Sequence, residues 1–522
     1  METVSGKSFA AYQGIPFAQP PVGALRFKQP RKNLPWNGIR DAINKGPDCV
    51  QIDTMRQSES LGKEDCLYLN LYTPQTSIST SKAGQLPVLL FLHGGSFLSG
   101  AGSLYGPRYL LDRDVILVTT NYRLGAFGFL STGDAASPGN NGLKDQVAAL
   151  QWIRENIHAF GGDRNSVTIF GQSAGAGAVQ HHIVSPLSRD LFHGGVSHSG
   201  SGGCWWAIDE NAPDLARRTA ELFNCRRESS YDMVNCLRQI DAHQLVEAQR
   251  NLTDWKVFPL VLYGPVVEHN HPGAFLYQLP EKTYKQNKAA RVPWITGFTS
   301  YEMSWLLADF FRDPTSAPEL NRNWNRLGEI FLTIRNATGS NSAIATRIRN
   351  FYLGKDTEIS YRNRNAIAQM LGDRFFLQCG LDGMRSHSRY TGEEVYGYEF
   401  SFEGKYSVVN TFGQNSDDWG VAHMDDLIYL LNSTDYYPTI NSVDDNELRM
   451  SNIMTGIWSN FAHYGKPYIN DGGRLTDTWK PIPYSNNDSS PLLFLDLNLN
   501  PRMMGNPYVE RYDFWKSLEL TD

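Results

Sequence analysis

The sequence lacks clustered basic residues, long apolar runs and a recognisable signal peptide. Its 48 lysines and arginines are outnumbered by 54 aspartates and glutamates, and they group no more closely than pairs such as Arg217-Arg218. This distribution disfavours a nucleic-acid partner. The longest apolar run, residues 86–92, is much shorter than the roughly 20 residues that cross a bilayer. We therefore expect no membrane span.

No linker, internal repeat or low-complexity tract divides the 522 residues. Length alone would favour two domains, but short apolar runs alternate with helical periodicity throughout. The clearest strand candidates are residues 86–92, 115–120, 292–296 and 394–400. The clearest helices are one that Asn141 precedes, with apolar positions from Leu143 to Ile157, and one with an apolar stripe from Met450 to Phe461. The alternation predicts an α/β fold: one domain, residues 1–522, in which helices flank a mostly parallel central sheet with long insertions.

Cysteines and sequons favour export, although the amino terminus has neither the basic nor the apolar region of a secretory leader. Two close cysteine pairs bracket polar segments and predict two local disulfides, Cys49 with Cys66 and Cys225 with Cys236. Four N-x-S/T sequons are candidate glycosylation sites, at Asn251, Asn336, Asn432 and Asn487. We expect a secreted protein whose leader is absent from this sequence, with a cytoplasmic protein as the alternative.

The most informative segment is Gly171-Gln172-Ser173-Ala174-Gly175, between a strand-like run and a predicted helix. This context is typical of a nucleophile elbow, a sharp strand-to-helix turn that exposes a serine. The positions two residues before and two residues after Ser173 are glycines, Gly171 and Gly175, and glycine fits there because the strand and the helix crowd together. The turn also places the Ala174 N–H at a helix N-terminus, which favours an anion beside the hydroxyl. We predict that Ser173 is a nucleophile and Ala174 an oxyanion donor.

A serine nucleophile needs a base, and the base needs an acid that holds its tautomer. His423 lies in a loop-like stretch after the last predicted sheet strands, where the chain order serine, acid, histidine places the base. Glu302, five residues beyond Gly297 at the exit of a strand candidate, is the candidate acid. Asp425 and Asp426 are better explained as helix-start residues and remain alternative acids.

Two further candidate groups lie near the predicted machinery. The loop that begins at His93-Gly94-Gly95-Ser96 follows a predicted central strand, so we predict that the Gly95 and Ser96 amides are additional oxyanion donors. His181 and His182 follow the elbow too closely to serve as the base. We assign them to packing or to the surface.

These motifs resemble those of the type-B carboxylesterase/lipase family, especially its insect branch, nearly from end to end. The resembling segments are residues 12–21, 25–27, 64–70, 93–97, 121–125, 142–146 and 171–175. The resemblance implies the α/β-hydrolase fold, with Ser173 as nucleophile, Glu302 as acid and His423 as base. It implies no metal and no organic cofactor.

The same resemblance implies disulfides between Cys49 and Cys66 and between Cys225 and Cys236. It leaves Cys204 and Cys379 free or unassigned, and Cys204 falls where relatives commonly hold an unpaired thiol. The loop between the first pair contains no tryptophan, unlike the longer aromatic loop of cholinesterases, which disfavours a choline ester specialist. Ser96 stands where many relatives have glycine or alanine.

We therefore predict a serine carboxylesterase that hydrolyses small-molecule esters, such as xenobiotic, hormone or pheromone esters, through an acyl-enzyme. A narrower alternative is a juvenile hormone esterase, because the elbow and the histidine segment 420–426 are similar to the motif set of those enzymes. An alternative from another class is a non-catalytic, neuroligin-like adhesion protein that keeps the fold for partner binding.

Overall fold

A ten-stranded sheet organises the described part of the chain. The computed structural model describes residues 1–53, 59–74, 85–335, 340–413, 419–433, 435–440, 445–471, 474–484 and 492–520. In chain order the sheet strands are β1 (Ala10–Pro16), β2 (Tyr68–Thr73), β3 (Leu86–Leu92), β4 (Ile116–Thr120), β5 (Gly162–Gln172), β6 (Gly194–His198), β7 (Trp294–Thr299), β8 (Val395–Phe400), β9 (Leu493–Leu497) and β10 (Arg502–Gly505).

The strands lie in the order β1-β2-β4-β3-β5-β6-β7-β8-β9-β10. Every neighbouring pair from β4 to β9 in this order is parallel. Antiparallel pairs occur at the two edges, where β1 pairs with β2, β2 with β4, and β9 with β10. The predicted α/β architecture with a mostly parallel sheet is thereby confirmed. Among the described residues, two short antiparallel strand pairs lie apart from this sheet, Gln51–Ile52 with Ser60–Leu61 and Ile469–Asp471 with Arg474–Thr476.

Helices cover the sheet and form the insertions. They are α1 (Gly125–Phe129), α2 (Asn141–Asn156), α3 (Ala174–Val184), α4 (Ala212–Leu222), α5 (Ser230–Leu237), α6 (Ala242–Glu247), α7 (Pro280–Lys285), α8 (Ser304–Phe310), α9 (Ser316–Arg322), α10 (Trp324–Phe331), α11 (Asn341–Leu353), α12 (Arg364–Gly372), α13 (Gln378–Thr391), α14 (Asp445–Tyr464) and α15 (Val509–Lys516). A π-helical turn, Asp373–Leu377, joins α12 directly to α13. Short 3₁₀ turns occupy several loops, among them Trp205–Ala207 and Asp425–Tyr429.

The sheet separates two apolar layers, and its pleat assigns side chains to them alternately. In β3, Val88, Leu90 and Leu92 join the layer on one face, whereas Leu89 and Phe91 join the layer on the other. This strand is buried from its second residue onward, which explains its continuous apolar sequence.

A buried ion pair joins β4 to α2. The Arg123 guanidinium donates to both carboxylate oxygens of Asp145, at 2.8 and 2.7 Å, and the Arg123 backbone N–H donates to the same carboxylate at 3.0 Å. Both side chains are almost fully buried. Because each charge depends on the other for solvation, this pair fixes the helix to the end of the strand.

Three disulfides occur in the described part of the chain. The predicted pairs Cys49–Cys66 and Cys225–Cys236 are both present. The expectation that Cys204 and Cys379 stay free or unassigned is wrong, because they form a third disulfide across a sequence separation of 175 residues. The fold brings their Cα atoms to 4.8 Å, a proximity that chain spacing does not reveal.

The sequon asparagines differ in their surroundings. Asn251 is exposed at the end of a 3₁₀ turn and has room for a glycan. The Asn432 amide packs against Gly106 and its oxygen accepts the Arg108 N–H, so the structure disfavours modification there. Asn336 and Asn487 lie outside the described residues. Within the described ranges, no helix has the length and apolarity that crossing a membrane requires.

Candidate active site

Ser173 occupies the sharp turn between β5 and α3. Its φ of 59° and ψ of −121° are unusual for a residue with a side chain. The Ser173 N–H donates to the His198 carbonyl at 2.8 Å, which ties the turn to β6. A Cβ on Gly171 would lie 2.3 Å from the Gly175 carbonyl oxygen, and a Cβ on Gly175 would lie 2.0 Å from that of Leu92. Glycine is therefore required on both sides of the serine.

The predicted oxyanion donors lie on two segments next to this turn. Ala174 is the first residue of α3, so its N–H has no acceptor within the helix. Gly95 and Ser96, just after β3, both have left-handed backbone, with φ of 104° and 57°. Both line the cavity that Ser173 lines. The arrangement is compatible with three converging amides, and their role stays a prediction.

The loops that carry Glu302 and His423 are bonded to each other. The Tyr301 N–H donates to the Val421 carbonyl at 2.9 Å, and the His423 N–H donates to the Glu302 carbonyl at 3.2 Å. Nδ1 of His423 then lies 2.6 Å from one oxygen of the Glu302 carboxylate. The other oxygen accepts the Thr299 N–H at 2.8 Å, at the end of β7. The carboxylate is thus fixed by the sheet and points at the imidazole.

These contacts define which nitrogen of His423 carries the proton. A carboxylate only accepts hydrogen bonds, so Nδ1 is the protonated nitrogen and Nε2 of the neutral ring keeps its lone pair. The Gln172 side-chain amide lies 2.7 Å from Nε2 and is the group that donates to it in this structure. Nε2 is therefore oriented towards the elbow, with the residue before Ser173 as its hydrogen-bond partner.

Aromatic rings enclose the imidazole. Phe376, in the π-helical turn, stacks on His423 with ring centroids 4.7 Å apart and an interplanar angle of 24°. Trp305 is also nearly parallel to the ring, at 6.5 Å. Both His423 and Glu302 are only 5% exposed. Burial of this pair limits competition from water for the Nδ1 hydrogen bond.

The alternative acids serve other partners. Asp425 accepts the backbone N–H groups of Ala422 and Val408, each at 2.8 Å, and so braces the loop that carries His423. Asp426 accepts from Nδ1 of His198 and from the Tyr398 hydroxyl, both at 2.8 Å. The two residues begin a 3₁₀ turn, as their expected helix-start position implies, but their carboxylates are committed to these tertiary contacts.

His181 and His182 lie in α3 and are fully buried, in accord with a packing role. Their Nε2 atoms contact the Ala207 carbonyl and the Gln146 side chain, each at 2.9 Å.

Burial lowers the pKa of four histidines, which we call the buried histidines. The pKa falls to about 4 for His93, His181 and His387 and to about 3 for His182. Burial conversely raises the pKa of two buried aspartates, Asp373 to about 6 and Asp425 to about 7.

Two neighbouring cavities lead to the site. The inner one, of about 320 Å³, contains Ser173, His423 and the glycine loop, and much of its remaining wall is apolar, including Leu98, Leu260 and Phe412. An outer one, of about 630 Å³, shares several wall residues with it and adds charged side chains such as Arg312 and Asp313. The predominantly apolar inner wall suits the apolar body of a small molecule.

Sequence reasoning missed two residues that contact His423. Gln172 was only the variable position of the elbow motif, although its place directly before the serine is a signal that it lies near the chemistry. Phe376 gave no signal, because its contact with His423 depends on how the chain folds over an insertion.

Comparisons with known proteins agree with this architecture. Residues 1–515 match the model of the carboxylesterase family. The juvenile hormone esterase of Tribolium castaneum is 39% identical over 481 residues, covering 89% of this chain and 81% of that protein. Esterase E4 of Myzus persicae is 37% identical over 499 residues, covering 94% of this chain and 88% of that protein.

A solved structure extends the likeness to three dimensions. The crystal structure of juvenile hormone esterase from Manduca sexta, with OTFP covalently attached, has a TM-score of 0.86 and 28% sequence identity with this chain. The match covers 99% of this chain and 96% of the other.

Proposed function

The chain belongs to the carboxylesterase family, and from this premise we propose that Ser173, His423 and Glu302 form its catalytic triad. The family and its esterase relatives identify the chain as a carboxylic ester hydrolase, which removes the non-catalytic adhesion alternative. One observation carries the residue assignment. It is the buried 2.6 Å contact between His423 and Glu302, at a cavity that Ser173 also lines.

In the first step, Glu302 holds the Nδ1 proton of His423 so that Nε2 can accept the proton of the Ser173 hydroxyl. The Gln172 amide occupies Nε2 in this structure. The Gln172 side chain or the imidazole must therefore move before attack, as catalytic hydrogen bonds often form only with substrate bound. The Ser173 oxygen then attacks the ester carbonyl.

The tetrahedral intermediate carries a negative oxygen, which the N–H groups of Gly95, Ser96 and Ala174 stabilise. His423 gives its new proton to the departing alkoxide, and the alcohol leaves an acyl-serine behind. Water then attacks the acyl group with His423 again as base, which releases the acid and restores the serine. The apolar inner wall holds the ester body during both steps.

Replacement of Ser173 by alanine tests the nucleophile. We expect turnover of p-nitrophenyl esters to fall by roughly 10⁶-fold, and labelling by a fluorophosphonate probe to disappear. Ser99→Ala is a matched control, because Ser99 lines the same cavity and its hydroxyl makes one long hydrogen bond within the described residues, to the Gly95 carbonyl at 3.5 Å. Labelling that survives in the Ser173 variant would refute the assignment.

Juvenile hormone hydrolysis is a second candidate function. The relatives in Tribolium castaneum and Manduca sexta carry that name, and the apolar inner cavity suits an elongated apolar ester. Comparison of kcat/KM for the hormone with that for short aliphatic esters decides between specialist and generalist. Equal or poorer efficiency with the hormone would exclude the specialist.

We further propose that residues 1–522 form one domain, which contains the span of the family match, residues 1–515, and the few residues after it.

Three disulfides support an extracellular location, because such bonds persist mainly in oxidising compartments. Asn251 is then the best placed of the four candidate glycan acceptors. Mass spectrometry of protein secreted from insect cells, before and after removal of N-glycans, tests the extracellular location and the glycan at Asn251.

A further inference from the structure

The third disulfide lies close to the proposed catalytic base. Cys204 is the residue before the 3₁₀ turn Trp205–Ala207, in the loop that follows β6. Cys379 is the second residue of α13, just beyond the π-helical turn. The bridge therefore joins the loop after β6 to the helical segment on which Phe376 lies.

Two tryptophans add to this connection. The Trp205 indole N–H donates to the Arg374 carbonyl at 3.3 Å, and the Trp206 indole N–H donates to the Phe375 carbonyl at 2.7 Å. The Trp206 ring also meets the edge of Phe376, with centroids 6.1 Å apart. With the disulfide, residues 204–206 hold the helical segment at several points between residues 374 and 379.

The π-helical turn, Asp373–Leu377, is the part of the helical segment that the two indoles bind. A π turn departs from the regular α-helical bonding pattern, and such turns are rare and frequently lie at functional sites. Two of its carbonyls, those of residues 374 and 375, accept from the indoles. External contacts therefore contribute to fixing this turn, and with it the direction in which Phe376 projects.

Phe376 connects the π-helical turn to His423 through a direct contact between their rings. Its ring lies 4.7 Å from the imidazole of His423, and the ring is itself 5% exposed. The same helical segment backs the acid, because a Cβ on Gly372 would lie 3.3 Å from Cβ of Glu302. The segment from Gly372 to Cys379 thus contacts both members of the His423–Glu302 pair.

We propose that the Cys204–Cys379 disulfide, through the π-helical turn, positions Phe376 against His423 and so sets the efficiency of the catalytic base. Phe376 and the disulfide are positioning residues that take no part in bond making. The inference rests on the proposed function, because it requires that His423 be the base. When the bridge is lost, the π-helical turn can shift. The imidazole of His423 then loses its contact with the Phe376 ring.

The first experiment compares two pairs of serine replacements in protein secreted from insect cells. Cys204→Ser with Cys379→Ser removes the bridge beside the site, and Cys225→Ser with Cys236→Ser removes a bridge in the α4–α5 region as a matched control. A misplacement approaching 1 Å at the base is expected to lower kcat for p-nitrophenyl acetate by about 10- to 100-fold. We expect KM to change less than about twofold, and the control pair to keep its kcat once its folded fraction is measured by active-site titration.

The second experiment tests whether the effect passes through Phe376. Phe376→Leu keeps the bridge but removes the aromatic face, and should lower kcat to a similar extent. When this change is added to the cysteine pair, the loss should not multiply, because both changes act on one contact. Multiplying losses, or a cysteine pair with the parental kcat, would overturn the inference.

Two further measurements keep the outcome decisive. Where the cysteine variant does not fold, Trp206→Phe removes the indole donor to the π turn and should reproduce the fall in kcat, and parental kcat in that variant counts against the proposal. Alkylation of the unreduced protein, unfolded in urea so that buried thiols are accessible, should leave Cys204 and Cys379 unlabelled, and labelling of either would contradict the bridge. If Ser173→Ala remains active, the proposed function fails. If Ser173→Ala is inactive but the variant with both Cys204 and Cys379 replaced by serine keeps the parental kcat, only this inference fails.

Discussion

Alanine in place of Gly175 should disable the elbow while leaving every proposed catalytic side chain in the sequence. Its Cβ would lie 2.0 Å from the Leu92 carbonyl oxygen, whereas real Cβ atoms essentially never approach closer than 3.0 Å. Leu92 cannot move aside easily, because it is the last residue of β3 and pairs with Thr120 on one side and Gly171 on the other. The start of α3 must therefore shift by about 1 Å, carrying Ser173 with it.

Both activity and stability should respond to this shift. A displacement of that size at a reacting group costs about 100-fold in rate. Forcing a methyl group into a packed interior costs about 1 to 3 kcal/mol of unfolding free energy, against which alanine in a helix regains at most about 1 kcal/mol. We expect kcat/KM to fall about 100-fold and the protein to be less stable by about 1 to 2 kcal/mol.

The assay combines p-nitrophenyl butyrate hydrolysis with urea unfolding followed by tryptophan fluorescence. Gly456→Ala is the matched control, because Gly456 lies within α14 and its nearest neighbour, the Arg113 guanidinium, is 3.7 Å from the added Cβ. This variant should keep its activity and gain about 0.5 to 1 kcal/mol. A Gly175 variant with activity within threefold of the parent would show that the turn is not as crowded as described.

Three other perturbations have expected outcomes. Glu302→Gln should lower kcat for p-nitrophenyl esters by roughly 10³- to 10⁴-fold without unfolding the protein, because the amide no longer selects the required tautomer; a loss below tenfold would assign the acid elsewhere. Asp145→Asn should lower the free energy of unfolding by about 3 to 5 kcal/mol by leaving the Arg123 charge uncompensated, whereas Asp214→Asn, which breaks an exposed pair with Arg217, should change it by less than about 1 kcal/mol in the same urea titration. Below pH 6.5 the unfolded chain protonates the four buried histidines while the folded chain does not, so each lowers stability by about 1.4 kcal/mol per pH unit until its folded pKa is reached. Burial raises the pKa of several carboxyl groups, Asp373 and Asp425 among them, and these act in the opposite sense. The histidine contribution is therefore measured as a difference between two proteins: His182→Gln should lose less stability than the parent between pH 6.5 and pH 5 in urea titrations, and an equal loss would contradict the burial argument.

The fold and the proposed triad could be predicted because their signals are local or ordered along the chain. β3 coincides with the apolar run at 86–92, and α2 starts at Asn141 itself, one residue earlier than the helix expected to follow Asn141. The glycines of the elbow mark a turn whose crowding involves residues only a few positions apart, together with one neighbouring strand. Such features require few assumptions about tertiary structure.

Contacts between distant segments could not be predicted in this way. Cys204 and Cys379 are separated by 175 residues, and nothing in their spacing indicates that they meet. Asp426 looked like a helix-start carboxylate, yet its partner His198 lies 228 positions away. In each case the side chain's neighbours are decided by how the insertions fold against the sheet, which local patterns do not encode.

The backbone bonds between the loops of Glu302 and His423 have a consequence for substrate range. The 121 positions that separate these two residues include cavity-wall residues close to both ends, such as Leu306 and Val408, as well as the segment 372–379 that contacts the pair itself. Changes at the wall positions outside that segment can reshape the cavity while the bonds between the two loops persist. Differences in substrate range among related esterases should therefore concentrate at such wall positions, where exchange should cost little basal chemistry.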